Sequence, residues 1–100
     1  MCIRDRNTAV GSSALHACTT AVQNTAMGYL AMRDSTTGAQ NAAFGAFALV
    51  YTTTGSYNSA LGDDAGVEVS TGDNNTLLGN AAGRAGSPSG VIQLEVIMLF

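Results

Sequence analysis

Asparagine recurs every 17 residues without a slip, and this spacing constrains the fold more than any other feature of the chain. Two further columns keep the same register, with glycine four positions and alanine seven positions after each asparagine. The repeat positions are Asn7, Gly11, Ala14, Asn24, Gly28, Ala31, Asn41, Gly45, Ala48, Asn58, Gly62, Ala65, Asn75, Gly79 and Ala82. Columns that stay in register through successive units indicate one supersecondary unit stacked on copies of itself.

Each unit has the composition of a short strand followed by turns. The strand candidate at residues 7–10 ends at a glycine, which accepts positive φ without steric cost. A second turn is indicated by Thr53-Thr54-Gly55 and by its equivalents in two other units. No unit shows the long 3.6-residue periodicity of an amphipathic helix. We therefore predict an all-β fold, a parallel β-solenoid of five 17-residue coils that start at residues 7, 24, 41, 58 and 75, each with two short strands and two turns.

Two columns of large apolar residues, three and eight positions after each asparagine, are predicted to fill the core. The predicted core residues are Val10, Leu15, Met27, Met32, Phe44, Leu49, Leu61 and Leu78. In the last two units the second of these columns holds Gly66 and Gly83 instead. Because stacked coils lie about 4.8 Å apart, we expect the asparagine side-chain amides to pair with one another from coil to coil. The alanine column is expected where only a methyl group fits, because another coil wall or another chain comes close.

The composition limits the size of the core and the kind of partner. One hundred residues form one domain at most, Trp is absent, and much of the apolar fraction is alanine, whose burial contributes little per residue. A single thin stack of coils would therefore gain from burial against neighbouring chains. The net charge is −3 and lysine is absent from the repeats, which argues against a nucleic-acid partner because such an interface needs a basic stripe.

The two ends of the chain differ from the repeats. Residues 1–6 look like the translation of a transposase adapter from a sequencing library, and we set them apart from the fold. Residues 7–90 form the predicted repeat domain. Residues 91–100 are abruptly hydrophobic, and codon degeneracy allows this run to encode the repeat's own turn in another frame. We interpret it as a frameshifted tail, with a genuine terminal strand as the alternative, and its length is too short to cross a bilayer as a helix.

The motif N-T-A-V-G-x-x-A-L at residues 7–15, and its echo T-T-G-S-Y-N-S-A-L-G at residues 53–62, resemble a known repeat. It is the N-T-A-x-G-x-x-A-L…T-T-G-x-x-N array of phage tail-fibre proteins and trimeric autotransporter adhesin heads. The resemblance extends from Asn7 to about Gly90 and implies a left-handed β-roll that assembles as a homotrimer. The chain departs from the array most at residues 83–90, which leaves open whether the fifth unit closes a coil or begins an exit loop.

The resemblance implies a structural and adhesive role, as a repeat segment of a trimeric fibre on a virion tail or a bacterial outer surface. The expected partners are two further copies of the chain and a host-surface receptor or glycan that the sequence does not identify. Tyr51 and Tyr57 are candidates for such a contact, although tyrosines that merely cover coil edges are the favoured interpretation. An ice-binding β-solenoid with threonine ladders is the alternative, and a tail-spike enzyme that degrades glycans is less favoured because it needs paired carboxylates.

The side chains that most often perform chemistry have no complementary partners in the sequence. His16 is the only histidine and lies in a variable column, so we expect it at the surface. Asp63 and Asp64 occur in one unit only, whereas calcium-binding β-rolls repeat their aspartates in every unit. Cys18 is the single cysteine of the repeats, which supports neither a disulfide framework nor a zinc site. We therefore predict no enzymatic activity, no cofactor and no catalytic or metal-binding residue.

Overall fold

The computed structural model of this chain is a parallel β-solenoid, which confirms the predicted all-β fold. It describes residues 6–83 and the strand at residues 92–94, and no helix occurs within that part of the chain. Residues 1–6, interpreted above as an adapter sequence, and the irregular end of the fifth unit lie almost entirely outside the described residues, so neither interpretation is tested. The strands are β1 (Thr8–Val10), β2 (Thr25–Met27), β3 (Ala42–Phe44), β4 (Ser59–Leu61), β5 (Thr76–Leu78) and β6 (Ile92–Leu94).

The six strands form one sheet in sequence order, and each strand is parallel to the next. From β1 to β5 the paired residues are 17 apart, as with Ala26 and Ala43, so the sequence repeat is one turn of the solenoid. Between β5 and β6, Leu77 pairs with Gln93, one residue short of that repeat. Residues 92–94 of the hydrophobic tail thus extend the sheet.

Within the described residues, each coil contains one strand and not the two that were predicted. The opposite wall is a series of turns, in which Leu30 and Met32 of the second coil have φ values of 60° and 50°. The Met32 N–H donates to the Ala48 carbonyl of the next coil at 2.9 Å, whereas the Arg33 N–H donates to the Leu30 carbonyl of its own turn at 3.1 Å. Hydrogen bonds on this wall therefore alternate between neighbouring coils and local turns. The sequence concealed this arrangement because leucine and methionine rarely adopt positive φ.

The middle residue of each strand from β2 to β5 faces the core, and the residue after it faces outward. Ala26, Ala43 and Ala60 are at most 3% exposed, as is Leu77 in the fifth coil. The prediction that the first apolar column fills the core is therefore wrong for Val10 (53% exposed), Met27 (41%), Phe44 (38%), Leu61 (52%) and Leu78 (44%). Side chains alternate between the two faces of a strand, and the repeat asparagines point inward. A residue three positions after an inward asparagine must then point outward.

The second apolar column does lie in the core. Leu15, Met32 and Leu49 are buried, as predicted. The alanine column is also internal, because Ala31, Ala48, Ala65 and Ala82 are fully buried within the single chain and Ala14 packs against the same cluster. The chain's own coil wall therefore restricts this column to a methyl group.

The last two coils fill the core by exchanging large and small residues between columns. Gly66 and Gly83 stand where earlier coils have leucine or methionine, and Leu77 stands where earlier strands have alanine. A Cβ atom on Gly66 would lie 2.6 Å from Leu49 Cδ2 and 2.9 Å from Leu77 Cδ1, and one on Gly83 would lie 2.7 Å from Leu77 Cδ2. Leu77 therefore occupies the space that the glycines leave.

One inward column contains a buried hydroxyl without a partner. Cys18, Ser35, Thr52 and Val69 occupy this column and are all buried. Thr52 Oγ1 donates to the Val69 carbonyl of the next coil, whereas Ser35 Oγ has no hydrogen-bond partner. Cys18 is disulfide-bonded, which the sequence analysis did not anticipate.

Two substitutions in this column are expected to have different effects on stability. Ser35→Ala removes an unsatisfied buried hydroxyl, so we expect the free energy of unfolding to stay unchanged or to rise by about 1 kcal/mol. Thr52→Val keeps the volume but leaves the Val69 carbonyl without its donor, so we expect a loss of about 1 kcal/mol. Urea denaturation followed by circular dichroism measures both, and equal losses in the two variants would contradict the assignment.

Candidate functional site

A buried asparagine ladder sets the register between coils and so aligns the outward-facing columns. Asn41 Nδ2 donates to the Gly55 carbonyl of its own coil at 2.8 Å, and Asn41 Oδ1 accepts the Asn58 backbone N–H of the next coil at 2.8 Å. Asn24 and Asn58 make the same two kinds of bond. The expected amide-to-amide pairing is found between Asn75 Nδ2 and Asn58 Oδ1, but elsewhere these side chains satisfy backbone groups instead.

The glycine column brings the backbones of successive coils into close contact. Gly45 has a φ of 129°, and a Cβ atom placed on it would lie 2.5 Å from the Gly62 carbonyl oxygen of the next coil. The positive φ predicted for this column is therefore confirmed, and the close approach adds a second reason for glycine. Together with the asparagine ladder, this contact makes the outer surface of the stack regular.

The five exposed residues of the first apolar column form a continuous line that we call the apolar stripe (Val10, Met27, Phe44, Leu61 and Leu78). They are partners in the strand register, so consecutive members are about 4.8 Å apart. Single exposed apolar side chains are ordinary, whereas a contiguous exposed row indicates an interaction surface. The stripe is therefore the main candidate functional site on this chain.

Exposed tyrosines lie on other parts of the surface. Tyr29, Tyr51 and Tyr57 are about half exposed. The ring of Tyr29 meets the ring of Phe47 edge to face, with centroids 5.6 Å apart. Tyr51 has no aromatic partner among the ring contacts of the described residues, but it lies beside a charged pair.

That charged pair consists of Arg33 and Asp34 on the turn wall. Arg33 Nε and NH2 donate to the two carboxylate oxygens of Asp34 at 2.8 and 3.0 Å, and the guanidinium carbon lies 5.5 Å from the centroid of the Tyr51 ring. The hydrogen bond from Arg33 holds the pKa of Asp34 below its ordinary value, and the same bond raises the pKa of Arg33. This cluster was not predicted, although Asp34 and Tyr51 stand one repeat apart and so share a column.

The remaining candidates from the sequence form no further cluster. His16 is exposed and lies near Asp34, where its charge helps to lower the pKa of that carboxyl. Asp63 is exposed, and Asp64 is partly exposed at the neighbouring position. Among the described residues, no group of three or more His, Cys, Asp or Glu side chains is placed to hold a metal ion.

In the part of the chain that the structure describes, no helix has the length and apolar character needed to cross a bilayer.

Comparisons with known proteins found no relative of this chain. No protein-family model matches the chain, and neither the curated proteins nor the solved structures contain a significant match to it.

Proposed function

We propose that this chain is a structural and adhesive repeat segment of a trimeric surface fibre, which mediates attachment from a virion tail or a bacterial outer surface. The observation that supports this proposal is the apolar stripe. One large apolar side chain per coil faces solvent in a single chain, whereas the small alanines of the same strands are buried. This distribution suits a chain whose strand wall packs against other chains.

Burial of the stripe supplies what the interior of one coil stack lacks. The core holds few large side chains, and most of its columns are alanine, glycine or small polar residues. Full burial of a leucine or phenylalanine side chain contributes roughly 1.5–3 kcal/mol, and the stripe offers five partly exposed residues of this kind per chain. Identical stripes on identical chains meet in register when the chains are parallel around a common axis, as the repeat resemblance implies.

The proposed mechanism of attachment is geometric. Coils joined by hydrogen bonds along the stack make a stiff rod, and three parallel chains present each outward column three times. Weak contacts to a surface receptor or glycan then act together, since the effective concentration of the second and third sites is high once the first is occupied. In this proposal the chain needs neither a cofactor nor catalytic residues.

A charge placed in the stripe is expected to dissociate the trimer. Light scattering after size exclusion should give the full chain a mass three times 10.1 kDa. Leu61→Asp should give a monomer, because it removes apolar burial and would bury an unpaired carboxylate in each of three chains. Thr54→Asp adds the same charge at an exposed turn position of the neighbouring coil and should remain trimeric.

Either of two results would contradict the proposal. A folded, monomeric parent chain would remove the reason for the stripe, and a Leu61→Asp variant of unchanged mass would place the interface elsewhere. Circular dichroism of both variants controls for the loss of β structure.

The ice-binding alternative has one supporting observation. Thr20, Thr37, Thr54 and Thr71 are all exposed and follow one another along the stack. However, the threonines one position earlier in the sequence already make hydrogen bonds within the chain. Thr19 Oγ1 and Thr36 Oγ1 donate to carbonyls of the next coil at 3.1 and 3.2 Å. The other outward hydroxyls, at Thr8, Thr25, Ser59 and Thr76, share the strand wall with the apolar stripe. The exposed threonines of the turn therefore form a line and not a two-dimensional lattice, so thermal hysteresis is not expected.

A further inference from the structure

We propose that Arg33, Asp34 and Tyr51 form a contact site for a neutral carbohydrate on the turn wall of the second and third coils. This inference rests on the proposed adhesive function and names the class of ligand that the segment would bind. Most of the outer surface repeats from coil to coil, whereas this combination of side chains occurs at one place only among the described residues.

The cluster is not required by the fold. The positions equivalent to Arg33 and Asp34 are His16 and Ala17 in the first coil, and Val50 and Tyr51 in the third. These coils stack through the same backbone hydrogen bonds without an ion pair there, as with the Ala17 N–H and the Arg33 carbonyl at 2.8 Å. The side chains of Arg33 and Asp34 are 34% and 36% exposed, so water screens their attraction and the pair adds little to stability.

The geometry holds the polar groups in place before a ligand arrives. Two parallel hydrogen bonds join one edge of the guanidinium to both carboxylate oxygens, and its position beside the Tyr51 ring restricts it further. Groups that are already ordered lose less side-chain entropy on binding. The outward lone pairs of Asp34 and the N–H groups of Arg33 that face neither Asp34 nor Tyr51 are then available to hydroxyl groups.

The combination of groups favours a sugar over a charged ligand. Within the cluster one positive and one negative charge already neutralise each other, so neither an anion nor a cation gains a strong partner. An exposed aromatic ring packs against the C–H face of a pyranose, while carboxylate and guanidinium groups bond to its hydroxyls. Tyr51 is 49% exposed and belongs to the wall opposite the strands, so the site stays open when the apolar stripe is buried between chains.

The test is saturation-transfer NMR on the full chain with a panel of methyl glycosides of glucose, galactose, mannose and N-acetylglucosamine at millimolar concentration. At least one glycoside should receive saturation, and Tyr51→Ala should raise its dissociation constant, measured by titrating the saturation signal, about tenfold, which corresponds to a loss of about 1.4 kcal/mol. Asp34→Asn should also raise it, since the carboxylate that accepts hydroxyl groups is removed. Tyr57→Ala deletes a similarly exposed tyrosine in another column and should leave the dissociation constant unchanged.

Saturation of no glycoside in the panel overturns the inference, and so does an equal loss in Tyr51→Ala and Tyr57→Ala. The mass of each sample, measured by light scattering, separates this outcome from a failure of the proposed fibre function. A trimer without sugar binding rejects the carbohydrate site alone, whereas a monomer rejects the proposed assembly.

Discussion

Replacing Asn41 with alanine is expected to lower the free energy of unfolding by about 2–6 kcal/mol. The substitution leaves two buried backbone groups without partners, the Gly55 carbonyl and the Asn58 N–H, and each such group costs about 1–3 kcal/mol. A loss of this size is a large fraction of the stability of an ordinary domain, which is about 5–15 kcal/mol. Urea denaturation at a fixed protein concentration measures the change.

The control is Asn80→Ala, which makes the same chemical change at an exposed position and should alter stability by less than about 0.5 kcal/mol. Asn41→Asp tests the direction of the hydrogen bonds. The new carboxylate still accepts the Asn58 N–H but faces the Gly55 carbonyl, so burial should raise its folded-state pKa above the unfolded value of about 3.9. The stability of this variant should therefore fall as pH rises above the unfolded pKa and recover in acid, where a protonated carboxyl donates to Gly55. A pH-independent loss would show that Asn41 is not bonded in this way.

Leu77→Ala is expected to cost about 3–5 kcal/mol, near the upper end for truncation of a core leucine. Leu77 is 1% exposed and fills the space beside both Gly66 and Gly83, and neither glycine has a side chain that could occupy the cavity. Leu78→Ala is the matched control, since it makes the same change one residue later in β5, on the outward face. At a concentration where the chain is monomeric, Leu78→Ala should cost less than about 1 kcal/mol. Equal losses would mean that the two faces of β5 are assigned the wrong way round.

Much of the fold was predictable because the repeat translates directly into strand register. Ala26 and Ala43 pair as the 17-residue spacing requires, and the glycine column turns with positive φ as expected. The core was assigned wrongly at the first apolar column, because the size of a side chain was taken as the signal for its burial. Phe44 is larger than Ala43, but side chains alternate between the two faces of a strand. Because Asn41 points inward, Ala43 also points inward and Phe44 points outward.

The candidate site was less predictable for related physical reasons. The apolar stripe was recognised as a column but assigned to the wrong face, because hydrophobicity alone does not distinguish a core column from an exposed one. The Arg33–Asp34–Tyr51 cluster was not predicted because its members share no sequence motif. They come together only because the coil that carries Tyr51 stacks on the coil that carries Arg33 and Asp34. The turn wall escaped notice because Leu30 and Met32 adopt a backbone conformation that their side chains disfavour.

The hydrogen bonds between coils have a consequence for damage to the chain. The Thr36, Thr37 and Gly38 N–H groups all donate to the Thr53 carbonyl, and the Thr53 and Gly55 N–H groups donate to the Ser70 carbonyl. A proteolytic cut in the exposed turn at Thr54 would therefore leave both new ends bonded to the coils on either side. The nicked protein should elute from a sizing column as the intact species and separate into two fragments only after denaturation. A solenoid of this design would tolerate a broken backbone without losing its shape.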